Sequence, residues 1–180
     1  MVYILLAAGF EEMEALAPAD LLRRAGVEVS LVGLDSPIIT GSHKISVHTD
    51  QLIDQVTLSP DDMLMLPGGL GGVTNLSNST KAISLIQEAH QKGCWLAAIC
   101  AAPTLLGKLG ILAGRKAICY PGMESALTGA VVVNEDVVVD NRIITSRAAG
   151  TTYDFGFALV SLLASPSKSE EVRHGIQYRT

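Results

Sequence analysis

Cys100 is the residue of this chain whose surroundings best fit chemistry. The apolar run Trp95–Ile99 stops at it, and Pro103 follows three residues later. Proline suits the first turn of a helix, because its missing N–H would be unpaired there anyway. The pattern predicts a buried strand over Trp95–Ile99, a sharp turn at Cys100 and a helix opening near Ala102 and reaching about Leu109. A thiol beside a helix N-terminus faces unpaired N–H groups and the positive dipole end, which favour a thiolate. This is the cysteine counterpart of the strand–turn–helix elbow that exposes a nucleophilic serine. The same stretch also fits an inert buried thiol, the usual state of free cysteine. From these residues alone both readings stand.

Other stretches could serve such a thiol. Glu11-Glu-Met-Glu14 places three carboxylates just after an apolar strand. Glu11 and Glu12 read as favourable charges at a helix start. Glu14 would differ if the fold brought it to Cys100. A partly buried carboxyl facing a thiolate has a raised pKa, and can donate a hydrogen bond to sulfur or shuttle a proton. Pro67-Gly-Gly-Leu-Gly-Gly72 fits neither nucleotide-binding glycine pattern, because it lacks the Gly-Lys-Ser/Thr ending and has Thr74 where a last glycine belongs. It reads as a flexible loop, or as one whose backbone N–H groups approach a ligand closely. Paired with the Ala101 N–H, such a donor would complete an oxyanion hole. The four histidines share no ligand spacing with the cysteines, and no metal site is expected. His43 and His48 could reach a cleft; His90 and His174 read as solvated. Cys94 and Cys119 read as core or surface thiols.

The elements that must position these residues alternate in type. Strands are expected at Val2–Ala7, Val27–Leu34, Met63–Leu66, Trp95–Ile99, Lys116–Cys119 and Ile143–Ser146. Helices are expected from about Glu12 to Ala25, over Ser79–Lys92, after Cys100, and from Ala149 to about Leu163. Pro18 leaves the start of the first helix open. A short exposed helix is expected over Glu170–Gln177. Ile45–His48 suits a short strand or hairpin arm. Val131–Val133 and Val137–Asp140 flank Asn134-Glu-Asp136 and read as a hairpin. Such alternation predicts one α/β domain over residues 1–180, built on a mostly parallel sheet sandwiched by helices. Phe10–Glu14, Pro67–Gly72, Cys100 and Arg147–Gly150 all follow strands, so they should converge on one sheet edge.

Composition narrows the function classes. The chain has 180 residues, 48% hydrophobic and 17% charged, which is globular and not disordered. Its net charge is -5 and basic residues do not cluster, so direct nucleic-acid binding is not expected. The apolar runs are too short to span a membrane. Val2–Ala8 has no basic lead and is followed by glutamates, so it reads as a first core strand and not a signal peptide. Three cysteines without C-x-x-C spacing point to free thiols in a reducing, cytoplasmic setting.

Glu11-Glu-Met-Glu14, Leu22-Arg-Arg-Ala-Gly26, Leu66-Pro-Gly-Gly69, Ala98-Ile-Cys-Ala-Ala-Pro-Thr104 and Thr145-Ser-Arg-Ala-Ala-Gly-Thr151 occur in that order. As an ordered set they resemble the ThiJ/PfpI superfamily, specifically its DJ-one branch. The resemblance implies a flavodoxin-like fold and a homodimer. It implies that Cys100 is the reactive cysteine and Glu14 the protonated carboxyl bonded to it. Gly69 and Ala101 would supply the oxyanion N–H groups. It further implies cofactor-free conversion of methylglyoxal or glyoxal to a hydroxy acid, or removal of their adducts, with redox sensing and chaperone roles as the alternative. The sequence departs from the family pattern at informative positions. Ala101 stands where the peptidase branch has histidine, which argues against peptidase activity. Tyr120 replaces a histidine found near the site in many members, and a phenol is a poor base near neutrality. His43 occupies the position of an anion-binding arginine, while Arg24 is kept.

Overall fold

The computed structural model describes residues 1–179, so the expected domain end at Thr180 lies outside them. In chain order the elements are β1 (Val2–Leu6), α1 (Glu12–Arg24), β2 (Val29–Gly33), β3 (Ile38–Thr40), β4 (Ser46–His48), β5 (Gln51–Leu52), β6 (Met63–Leu66), α2 (Leu70–Asn78) and α3 (Thr80–Gln91). They continue with β7 (Trp95–Ile99), α4 (Pro103–Lys108), β8 (Lys116–Ala117), β9 (Val131–Val132), β10 (Val137–Asp140), β11 (Ile143–Ser146), α5 (Thr152–Leu163) and α6 (Pro166–Gly175). A 7-stranded sheet runs in the order β10-β11-β7-β6-β1-β2-β5. Its strands are parallel except β10, which pairs antiparallel with β11.

The period-two geometry of strands splits the apolar residues between two cores. Tyr3, Leu5, Leu64, Leu66, Leu96 and Ala98 face a core closed by α2, α3 and α4. Val2, Ile4, Leu6, Met63, Met65, Ala97 and Ile99 face a second core closed by α1, α5 and α6. Both faces of the central strands are therefore buried, which explains why they read as unbroken apolar runs. The chain leaves β1 for β2 on one side and returns to β6 on the other. Strand order thus reverses beside β1, the switch point at whose carboxyl ends ligands of such sheets bind.

Three expectations are corrected. Val131–Val133 does not form a hairpin with Val137–Asp140. Instead β9 pairs parallel with β8, and β10 turns back onto β11 through Asn141 in the left-handed region, φ 56°. Pro67–Gly72 is not all loop: α2 begins at Leu70, and Gly72 N donates to Gly9 O at 2.9 Å, locking the glycines against the β1 turn. Helix α6 starts at Pro166, four residues earlier than expected, because Ser165 caps it by accepting from the Lys168 N–H. Helix α1 begins at Glu12 despite Pro18 within it; the missing N–H leaves the Glu14 carbonyl without its helical donor.

Candidate active site

Cys100 sits between β7 and α4 with φ 65°, in the left-handed region that side chains avoid. Its N–H donates to Ser146 O at the end of β11 (3.0 Å), and its carbonyl accepts from Tyr120 N–H at 2.7 Å. Two neighbouring segments thus hold the turn that projects the thiol. Cys100 is half-buried, whereas Cys94 and Cys119 are buried. The Ala101 and Gly69 N–H groups both hydrogen-bond the Cys100 sulfur.

Glu14 reaches this thiol from the first turn of α1. The side chain is fully buried, and its Oε2 accepts from Gly68 N–H at 2.9 Å. Oε1 has no hydrogen-bond partner among the described residues, and the Cys100 thiol faces the same carboxyl and works against its raised pKa. Gly68 makes the meeting possible. A Cβ there would lie 2.5 Å from Glu14 Oε2 and 2.6 Å from Cys100 Cβ. Sequence reasoning missed Gly68, although the Pro67-Gly-Gly run marked the place. Gly69 is equally confined: at φ 86°, a Cβ would stand 2.4 Å from Gly9 O.

Electrostatics corrects the expected thiolate. Helix α4 is six residues long and starts at Pro103, three residues past Cys100. Burial pushes Cys100 up to about 12, reinforced by the charge and hydrogen bond of Glu14 and opposed by the Ala101 and Gly69 N–H groups. Burial likewise raises Glu14 to about 7, against the hydrogen bonds from Cys100 and Gly68. The two groups are close enough to titrate as a pair, with burial raising both. Where they share one proton, sulfur is a thiolate when Glu14 holds it.

The other expected site residues divide. The Tyr120 backbone braces the elbow, while its side chain is 48% exposed. His43 lies on the rim in an ionic cluster. Its Nδ1 is 2.9 Å from Glu12 Oε2 and 3.1 Å from Glu11 Oε2, which raises its pKa. Glu12 stands in the first turn of α1, as expected of a helix-start charge, but it does more. It is buried, and its Oε1 accepts the N–H groups of His43 (2.7 Å) and Ile45 (3.4 Å), closing that loop on α1. Ligand atoms of Glu11, Glu12 and His43 lie within 4.8 Å of one another, the grouping among the described residues that could hold a metal. Sequence spacing did not foretell it. Arg24 is not brought to Cys100 within this chain. It lies ten residues beyond Glu14 on α1, about 15 Å along the axis, and its Nε pairs with Asp20 at 2.6 Å.

Fold and site together define a class: a flavodoxin-like α/β protein with a cysteine on a nucleophile elbow. The chain matches the DJ-1/PfpI family over residues 1–162. It is 38% identical over 176 residues to Protein dj-1beta of Drosophila melanogaster, covering 96% of this chain and 94% of that protein. It is 35% identical over 164 residues to Deglycase PH1704 of Pyrococcus horikoshii, covering 90% and 98%. The crystal structure of Drosophila melanogaster DJ-1beta superposes with a TM-score of 0.91 at 36% identity, covering 98% of this chain and 96% of that one. This protein therefore belongs to the DJ-1/PfpI family.

Proposed function

We propose that the protein is a cysteine-dependent enzyme that converts small α-oxoaldehydes such as methylglyoxal to hydroxy acids, or removes their adducts from other molecules. The observation that carries the reading is the buried Glu14 carboxyl, raised to about 7, facing the thiol of a strained elbow across Gly68. Relatives named deglycases support it at the level of the family. With its proton on Glu14, the Cys100 thiolate adds to the aldehyde carbon and gives a hemithioacetal. The Gly69 and Ala101 N–H groups, which bond the sulfur in the resting site, lie beside the developing oxyanion. Glu14 then moves a proton from the former aldehyde carbon to the adjacent carbonyl carbon, leaving an α-hydroxy thioester. Water displaces the thiol, so methylglyoxal plus water becomes lactate and no electron acceptor is consumed. In this reading the enzyme works as a cytoplasmic homodimer, with the exposed Tyr120 and His43 at the rim of the site.

Lactate formation from methylglyoxal tests this. Repeated turnover is expected for wild type, none above background for Cys100→Ser, and a loss of about 100-fold or more for Glu14→Gln. Equal rates in wild type and Cys100→Ser would reject the mechanism. A redox-sensing role is the second reading, favoured by one observation: Cys100 is the half-buried thiol of the three. Stoichiometric oxidation of Cys100 by peroxide, with no aldehyde turnover, would select it.

A further inference from the structure

A cavity of about 440 Å³ opens at the amino ends of β7 and β11, the opposite end of the sheet from Cys100. Its size falls within the range of small-molecule sites. Arg115, Arg142, Lys92 and His90 line it, and no aspartate or glutamate among the described residues does. Positive charge is gathered here in a chain whose net charge is -5.

Arg142 is the informative residue. Its Nη1 donates to Pro60 O at 2.7 Å and Gly93 O at 2.8 Å, and its guanidinium lies 5.6 Å from the centre of the Trp95 ring. It is therefore fixed in place, yet it makes no ion pair among the described residues. Its neighbours are only partly neutralised. Arg115 Nη1 reaches Asp140 Oδ1 at a long 3.5 Å, and the other oxygen of Asp140 accepts the Lys116 N–H at 2.8 Å. Lys92 pairs with Glu88 at 2.8 Å across one exposed helical turn and donates to Leu58 O at 2.9 Å, so it is held and brings its charge to the rim. A held guanidinium with free donors, flanked by two more cations, suits the oxygens of an anion.

We propose that this cavity is a second ligand site, for a small multiply charged anion carrying phosphate or carboxylate groups. Arg142 and Arg115 grip it and Lys92 adds a point charge. The site stands apart from the thiol: β7 separates them by its five residues, roughly 17 Å. The proposal therefore does not depend on the reaction assigned to Cys100.

The test is calorimetric titration of the full chain at low ionic strength, with pyrophosphate as the phosphate probe and citrate as the polycarboxylate probe. Saturable one-site binding is expected, with Kd below about 1 mM and weakening with added salt. Arg142→Gln and Arg115→Gln should each weaken it about tenfold or more, without changing lactate formation. Arg142 also ties two carbonyls together. Arg115→Gln, which removes only a long, part-buried ion pair, therefore carries the test if Arg142→Gln fails to fold. Binding of pyrophosphate alone identifies a phosphate ligand, and binding of citrate alone a carboxylate ligand; either supports the site. The proposal is overturned if neither probe saturates below about 10 mM, or if binding in Arg115→Gln stays within about twofold of wild type.

Discussion

Burial raises both Glu14, to about 7, and Cys100, and the pair can share one proton between two acidic groups. Alkylation of Cys100 by iodoacetamide, followed peptide by peptide, should therefore accelerate with an inflection near 7 in wild type. In Glu14→Gln no carboxyl can take the proton. The inflection should move up by one to two pH units, toward the ordinary thiol range of about 8.5. An unchanged inflection would remove Glu14 from that role. Gly69 gives a second residue-scale prediction. Its φ of 86° and the Gly9 carbonyl 2.4 Å from any added Cβ mean that Gly69→Ala must shift the backbone donor. Loss of one oxyanion donor costs about 100-fold in kcat, so kcat should fall by that order while KM changes little. Gly69, like Gly68, lies in a run whose glycine content is legible in the sequence. What each glycine makes room for is not, because the crowding atoms come from distant segments.

Helices α1 and α5 cross closely because Gly156 has no side chain at the contact. A Cβ there would stand 2.6 Å from Leu21 Cδ1 and 3.4 Å from Pro18 Cα. Leu21 is fully buried, so the space is already filled. Gly156→Val should lower stability by about 1–3 kcal/mol through overpacking, measured by urea unfolding, and the apolar surface lost to α1 should be visible as a lower Tm. At this scale the strands of the central sheet were the legible part. Met63–Leu66, Trp95–Ile99 and Ile143–Ser146 match their sequence reading residue for residue. A buried strand announces itself by local apolarity, whereas pairing is a long-range choice. That is why the local pattern marks Val137–Asp140 as a strand but not its partner β11, and why α2, opening through Leu70-Gly-Gly72, reads as a loop.

Stability of the whole molecule should depend on pH through Glu14. The carboxyl moves from an ordinary 4.5 to about 7 on folding, chiefly through burial. A raised value in the folded state gives stability that is complete below the unfolded value and lost as pH rises through the folded one. Between pH 4.5 and about 7.5, wild type should lose roughly 3 kcal/mol in denaturant melts. Glu14→Gln should be nearly flat over that window; a parallel loss in the variant would mean that other groups carry it. The same linkage connects the site to the fold, since the group that holds the proton for sulfur is also a buried member of the α1 face.

The sequence by itself determined the α/β class, the central strands, the elbow at Cys100 and the family resemblance now shown by the comparison. These depend on periodicity, turn chemistry and short motifs, which act over a few residues. Only the tertiary structure decided that Glu14 meets Cys100 through the gap at Gly68, that burial raises both groups, that Glu12 closes the His43 loop and that Arg24 stays apart. It also decided that Arg115 and Arg142 share a cavity with Lys92. Each of these depends on desolvation or on contact between segments far apart in the chain, and neither has a signature in local spacing.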